Sequence, residues 1–406
     1  MGGRMSKVIV VGGGASGLVS AIYAAINNND VILLERNNKC GKKLLLTGNG
    51  KCNYFNSDMD ISHYNTNNKD ILSAIITDEH INRIKYFFKT LGIVPKIKNG
   101  YYYPMSNQSN SICNALVNYA LLVGVEIRTN VLVEYINYLD DDYVLNTTQG
   151  VFKCNKVIIA TGSKALAKTG SDGMGYNFLK KFGHSIIKPL PSLVQLIGKG
   201  KYFKNWAGVR SDVILTHLED NEIVKEVKGE VQLTDYGISG VCTFGLSGMI
   251  ARGLDMDKKE EIAINFMPWL DTSFNEYMNK QNKKFSITQI LEGFLNYKLV
   301  NVILFFTNIK KDSKWIELTG NQKEQLAEYL LSFKIEIIDT KGFEHAQVCS
   351  GGVPLAEINP NTMESIYKKG LYITGELLDI DGECGGYNLG SAWITGMIAG
   401  SSVSND

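Results

Sequence analysis

Residues 7–35 carry the feature that most restricts the fold. Lys7–Val11 is a short β-branched run that ends in Gly12-Gly13-Gly14-Ala15-Ser16-Gly17. Leu18, Ile22 and Ala25 then recur at helical spacing, and Val31-Ile32-Leu33-Leu34 is a second buried-strand signal closed by Glu35. Strand, glycine turn, helix, strand and acid in this order read as a dinucleotide-binding βαβ unit. Gly12 allows the turn, Gly14 lets a pyrophosphate approach the backbone, and Gly17 lets helix and strand pack closely. The helix opening at Ala15 and Ser16 offers free N–H groups and a positive dipole end to phosphates. Glu35, 23 residues after Gly12, is placed to accept hydrogen bonds from ribose hydroxyls.

A second glycine-rich, basic loop comes directly after: Cys40-Gly41-Lys42-Lys43-Leu44-Leu45-Leu46-Thr47-Gly48-Asn49-Gly50-Lys51-Cys52-Asn53. The first motif alone does not separate NAD from FAD. A loop placed here can run along an extended cofactor, giving N–H groups and lysine charge to pyrophosphate or flavin. The plainer alternative is a solvated surface loop.

Together these residues resemble the HI0933/YhiN family of FAD-binding flavoproteins, through Gly12–Gly17, Glu35-Arg36, Gly41-Lys42-Lys43 and Thr47-Gly48-Asn49-Gly50-Lys51-Cys52-Asn53. The likeness recurs in Val157-Ile158-Ile159-Ala160-Thr161-Gly162, Asp235–Gly240, Ala346–Val353, Gly370–Asp379 and Gly385-Gly386-Tyr387-Asn388-Leu389. The chain departs from the family pattern at Lys51 (usually Arg), Asp235 (His), Val241 (Pro), Gly390 (Gln) and Ile366 (a basic residue). The resemblance implies non-covalent FAD on an α/β fold: a Rossmann-like, glutathione-reductase-related FAD-binding domain with an inserted β-rich lobe and a helical subdomain. It also implies an NAD(P)/FAD-dependent oxidoreductase, of aminoacetone-oxidase-like or bile-acid-reductase-like type.

The implied cofactor shell is Gly12, Gly14, Ala15, Ser16 and Gly17, then Glu35, Arg36, Lys42, Lys43, Thr47, Gly48 and Asn53. Val133 would set its backbone against adenine, and the backbone of Ala160, Thr161 and Gly162 would approach the cofactor. Gly375 and Glu376 form a turn, Asp379 is placed for the ribityl hydroxyls, and Gly386, Tyr387, Asn388 and Leu389 head a last helix aimed at the flavin pyrimidine. Free N–H groups there would stabilise the charge that develops on reduction.

Composition sets the outer bounds. The chain has 406 residues and a net charge of +1, which gives no general reason to expect nucleic acid or an acidic membrane as partner. The longest unbroken apolar run is the six residues Ala21–Ile26, against about 20 for a spanning helix. Seven scattered cysteines without a C-x-x-C pair argue against a disulfide framework, a zinc site or a redox dithiol, so no metal is expected. Three glycines interrupt the apolar run Val8–Val11, so it is not a signal peptide, and the cytoplasm is the expected compartment. Met5 reads as a second start, which would make residues 1–4 a leader.

The FAD-binding domain is expected to be discontinuous, residues 1–189 and 342–406. A β-rich insert on the substrate side is expected at 190–269 and 334–341, and a helical subdomain at 270–333. Val209–Leu218, Glu222–Leu233 and Glu261–Met267 alternate as strands, with His217 set between Thr216 and Leu218. Ser286 reads as an N-cap, and Asn321-x-x-Glu324 as a capping box before Leu326. Gly396 and Gly400 form a G-x-x-x-G that predicts close helix packing. No second G-x-G-x-x-G follows Gly162, so NAD(P)H would dock transiently rather than in its own domain.

The expected function is hydride transfer between flavin N5 and a small organic substrate or NAD(P)H. Tyr387 is the one catalytic candidate, because the five histidines form no cluster in the sequence. Two alternatives stand beside it: a flavoprotein acting on tRNA, and an FAD-retaining binding or regulatory protein without turnover. The oligomeric state is left open.

Overall fold

The computed structural model describes residues 6–403, so the leader expected at residues 1–4 lies outside it. Residues up to Leu190 and from Gln347 onward form one compact unit, and Pro191–Ala346 form a second.

The first unit is built on a five-stranded parallel sheet in the order Leu371–Ile373, Lys156–Ile159, Lys7–Val11, Asp30–Glu35, Glu126–Thr129. Val10 pairs with Leu33 on one side and Ile158 on the other. The central strands are apolar at every interior position and buried on both faces, as a parallel sheet covered by helices requires. Two helices of this unit pack against each other: Ala15–Ile26, after the first strand, and the last helix, Tyr387–Ser402. A Cβ on Gly396 would lie 2.5 Å from the Ser16 carbonyl oxygen, and one on Gly400 would lie 2.3 Å from that of Ser20. The G-x-x-x-G therefore lets these two helix backbones meet.

Two smaller antiparallel pieces attach to this unit. One is a meander of Val133–Leu139, Asp142–Thr147 and Gly150–Cys154. The other sets Phe55–Asn56 and Pro95–Lys98 on either side of Tyr101–Pro104. Its hairpin turns at Asn99-Gly100, both at positive φ (51° and 82°), the backbone a two-residue hairpin loop asks for.

The second unit contains a closed six-stranded barrel: Leu196–Gly198, Gly237–Ser239, Glu222–Leu233, Arg210–Glu219, Glu260–Asn265 and Phe333–Thr340. The alternation expected around His217 holds up to that residue, with Val213, Leu215 and His217 all buried, and breaks at the register shift that follows, where Leu218 is buried as well. His217 is fully buried and bonds Glu260 on the neighbouring strand. Helix Val241–Asp255 packs on the barrel, and Phe274–Asn279, Ile287–Glu292, Tyr297–Thr307 and Gly320–Leu331 add a helical excursion that shares its apolar core. Ser286 caps its helix with Gln289 as the reciprocal partner. The box expected at Asn321 and Glu324 is corrected to Thr319 and Gln322, two residues earlier. The Thr319 hydroxyl accepts from the Gln322 N–H at 3.2 Å, and the Gln322 side chain accepts from the Thr319 N–H at 3.1 Å. Asn321 already lies inside the first turn, where no cap is needed.

Candidate functional site

The glycines of the first turn are there for different reasons. Gly12 has φ 106°, and a Cβ on it would lie 2.5 Å from the Ala160 carbonyl oxygen; one on Gly17 would lie 1.9 Å from the Gly12 carbonyl oxygen. Gly14 differs: its backbone is extended (φ −81°, ψ −164°), and a Cβ there would meet nothing within 4 Å. Neither strain nor packing calls for glycine at Gly14, whereas a ligand laid against the backbone does. The helix it opens has no side-chain cap and no acid in its first turn, and the last helix, opened by Gly386 at φ 91°, has neither as well. In the second unit Phe274–Asn279, Ile287–Glu292, Tyr297–Thr307 and Gly320–Leu331 begin with bonded Ser, Asn or Thr caps, whereas Val241–Asp255 starts uncapped at Gly240. The starts at Gly14 and Gly386 leave N–H groups without an intrahelical or side-chain partner, which is what anion binding at a helix start requires.

Glu35 is buried at the sheet's end, where it accepts from the Gly13 N–H (2.7 Å) and from the Asn37 backbone and side-chain N–H groups (each 2.7 Å). A carboxylate has about four lone-pair sites, so acceptor capacity is left for hydroxyls. The Val131 N–H donates to the Glu35 carbonyl at 3.0 Å, which brings the strand starting at Val133 alongside. Arg36 pairs with Asp172.

The second glycine loop docks on the first turn through the Gly41 N–H and the Gly13 carbonyl, 2.8 Å apart. Lys42 donates to Asn37 (3.0 Å), and Lys43 pairs with Glu376 at 2.5 Å. Thr47 accepts from the Cys52 N–H, and Gly48 and Asn49 both take left-handed backbone. The Asn53 amide nitrogen faces the carbonyls of Tyr102 and Phe55. Gly162 (φ 74°) follows Ala160 and Thr161 off the sheet, and Gly375 (φ 67°) abuts Ser16. Glu376 also accepts from the Cys349 N–H, and buried Asp379 accepts from the Asn67 N–H at 3.2 Å. Asn388 does not cap the last helix. Its side chain instead pairs with the N–H and C=O of Gly382, at 2.8 and 2.7 Å. Leu389 is partly buried against the core.

At the start of that helix lies a group that sequence reasoning missed. His63 places Nδ1 3.1 Å from Glu383 and Nε2 3.1 Å from Asp58, and its ring stacks on Tyr387 with centroids 4.7 Å apart and planes 23° apart. Burial works against the His63 cation, but hydrogen bonds to Asp58 and Glu383 prevail and raise its pKa. Burial, aided by Asp58, Tyr101 and Glu383, pushes the Tyr387 phenol up to about 12. The Cys384 thiol is likewise pushed up to about 12, chiefly by burial, so it is a thiol and not a thiolate nucleophile near neutral pH. Tyr64 closes the far side, its ring edge against Tyr387 and its hydroxyl donating to the Tyr387 carbonyl at 3.1 Å.

The sequence pattern described as the HI0933-like protein Rossmann domain matches residues 6–402. The chain belongs to this family. It is 38% identical over 403 residues to the 3-dehydro-bile acid delta(4,6)-reductase of Clostridium scindens, covering 98% of each. It is 25% identical to the ribosomal RNA dihydrouridine synthase of Haemophilus influenzae, covering 99% of each. Among solved structures, a 3-ketosteroid-delta4-(5alpha)-dehydrogenase from Rhodococcus jostii shares the fold, with a TM-score of 0.52 at 14% identity, covering 99% of this chain and 97% of that one. The fold is Rossmann-like and of the FAD-binding type, with an added β lobe. No helix among the described residues is long and apolar enough to cross a membrane, and no metal-binding group of side chains occurs among them.

Proposed function

We propose that this protein is an FAD-dependent reductase that adds two hydrogens across a carbon–carbon double bond conjugated to a carbonyl, with steroid 4-en-3-ones as its substrate class. The full-length likeness to a bile-acid reductase carries the reading. The open space beside Gly14, at the start of the helix that follows the first strand of the βαβ unit, supports a bound dinucleotide.

FAD, when bound, supplies hydride at flavin N5. The N–H groups of the turn that are not already bonded, from Gly14 to Gly17, would be offered to the pyrophosphate, and Glu35 would accept from the ribose. Lys42, Lys43, Thr47, Gly48 and Asn53 follow the cofactor, with Lys43 held by Glu376. Val133 would hold adenine through its backbone, Asp379 the ribityl hydroxyls, and the N–H groups at Gly386–Leu389 the flavin pyrimidine. Tyr387, whose phenol stays protonated near neutral pH, donates the proton that completes saturation. NAD(P)H serves as a transiently docked electron donor.

Anaerobic turnover tests this. FAD-loaded protein with NADH or NADPH should raise the mass of a 4,6-dien-3-one steroid by two hydrogens per double bond. Consumption of aminoacetone with peroxide formation, and no steroid product, would make it an oxidase instead. A second reading comes from the relatives named ribosomal RNA dihydrouridine synthase. A uracil ring also holds an alkene next to a carbonyl, so the same chemistry would serve RNA. Dihydrouridine in treated ribosomal RNA, with steroids untouched, would establish it.

A further inference from the structure

We propose that His63 is the positioning residue of proton transfer: fixed as an imidazolium between Asp58 and Glu383, it lies flat on the Tyr387 ring and supplies the positive charge that lets the phenol give up its proton. This rests on the reductase reading above.

The geometry carries the charge assignment. Both ring nitrogens face carboxylates at 3.1 Å, and only the doubly protonated ring donates to both at once. The neutral ring would point a lone pair at a carboxylate. The backbone fixes this arrangement, since the Glu383 N–H donates to the His63 carbonyl at 2.9 Å and Tyr64–Asn65 pairs with Asp381–Gly382. The charged groups around the ring are Asp58 and Asp60 on its own segment, Lys69 beyond it, and Glu383 with Tyr387 on the C-terminal segment. With His63 charged, Asp58, His63 and Glu383 together present one net negative charge to the phenol; with a neutral side chain they present two. The second charge opposes formation of a phenolate.

In the step itself, the substrate alkene receives hydride at the carbon β to its carbonyl, and the resulting enolate takes the Tyr387 Oη proton at the α carbon. The alkene π bond is consumed as two C–H bonds form, and the hydride with its electron pair would be supplied by bound FAD already reduced by the nicotinamide. Tyr387 recovers its proton from water. His63 touches no reacting atom, so its effect is exerted through Tyr387.

The test separates the half-reactions of the FAD-loaded protein in an anaerobic stopped-flow instrument. In His63→Gln, flavin bleaching by NAD(P)H should stay within about twofold of wild type. Reoxidation by the enone should slow by about 100-fold or more, the scale of general-acid effects. Wild-type reoxidation should be fast at low pH and fall as pH rises through the raised His63 pKa; His63→Gln should lose that dependence. Asp58→Asn alters a side chain that is 64% exposed, so folding is not at issue, and it should move the fall to lower pH. Nitrogen-15 NMR of the FAD-free protein should find both His63 nitrogens protonated at pH 6.5, a readout independent of turnover. Neutral His63 there, or His63→Gln reoxidising at the wild-type rate with an unchanged pH profile, would overturn the proposal. Failure of the wild-type protein to bleach with any donor would count against the reductase reading instead.

Discussion

Gly14 and Gly17 stand three residues apart, and replacing each by alanine should have opposite consequences. At Gly14 a Cβ has free space and ordinary φ, so Gly14→Ala should cost the FAD-free protein no more than about 1 kcal/mol, the scale of a changed N-cap. Its FAD affinity should nevertheless fall at least tenfold, measured by flavin fluorescence quenching. Gly17→Ala should lower the melting temperature of the FAD-free protein itself, because its Cβ meets the Gly12 carbonyl. Equal loss of stability in the two variants would show that Gly14 serves packing rather than a ligand. The buried His217–Glu260 pair gives a second test at this scale. Nδ1 of His217 and Oε1 of Glu260 have no hydrogen-bond partner among the described residues, so the pair rests on one bond. Glu260→Ala should destabilise the second unit by about 3–5 kcal/mol in denaturant titration, as when one partner of a buried pair is removed. The turn glycines and Glu35 were legible because they lie within one βαβ unit, where spacing is meaning. His63 was not, because its partners lie five residues before it and 320 after it. His217 follows the alternation, in phase with buried Val213 and Leu215, but its partner Glu260 lies on another strand 43 residues away and could not be read from spacing.

At the scale of elements, the same contrast separates local signals from long-range ones. The G-x-x-x-G of the last helix was legible as a packing face, and the structure supplies its partner, the first helix. Gly400→Val should therefore cost at least about 1–3 kcal/mol through overpacking, measured in urea. A change inside ±0.5 kcal/mol would deny that contact. The helix at Gly320–Leu331 was legible in its apolar spacing but not in its start, since Thr319-x-x-Gln322 and Asn321-x-x-Glu324 both satisfy the capping pattern. Thr319→Ala should cost about 1 kcal/mol, while Asn321→Ala should be close to neutral. Barrel closure was beyond the sequence, because alternation assigns a strand's faces but not its neighbours.

For the molecule as a whole, the proposed FAD site lies in the unit containing the parallel sheet, so FAD should act on that unit's stability. Saturating FAD should raise the melting transition of the first unit by the linkage expected for a ligand that binds only the native state, about 2.7 kcal/mol at a hundredfold excess over Kd. Hydrogen exchange should place this protection in residues up to 190 and from 347 onward. Reductase chemistry is the central claim, and one measurement reaches it most directly. FAD-loaded protein is reduced anaerobically with NADPH or NADH and then mixed with a steroid 4-en-3-one while the flavin band is monitored. A reductase should bleach rapidly with the nicotinamide and regain its colour rapidly on adding the enone, with one saturated product per flavin. Colour that returns only when oxygen is admitted, or a protein that takes up no FAD, would contradict it.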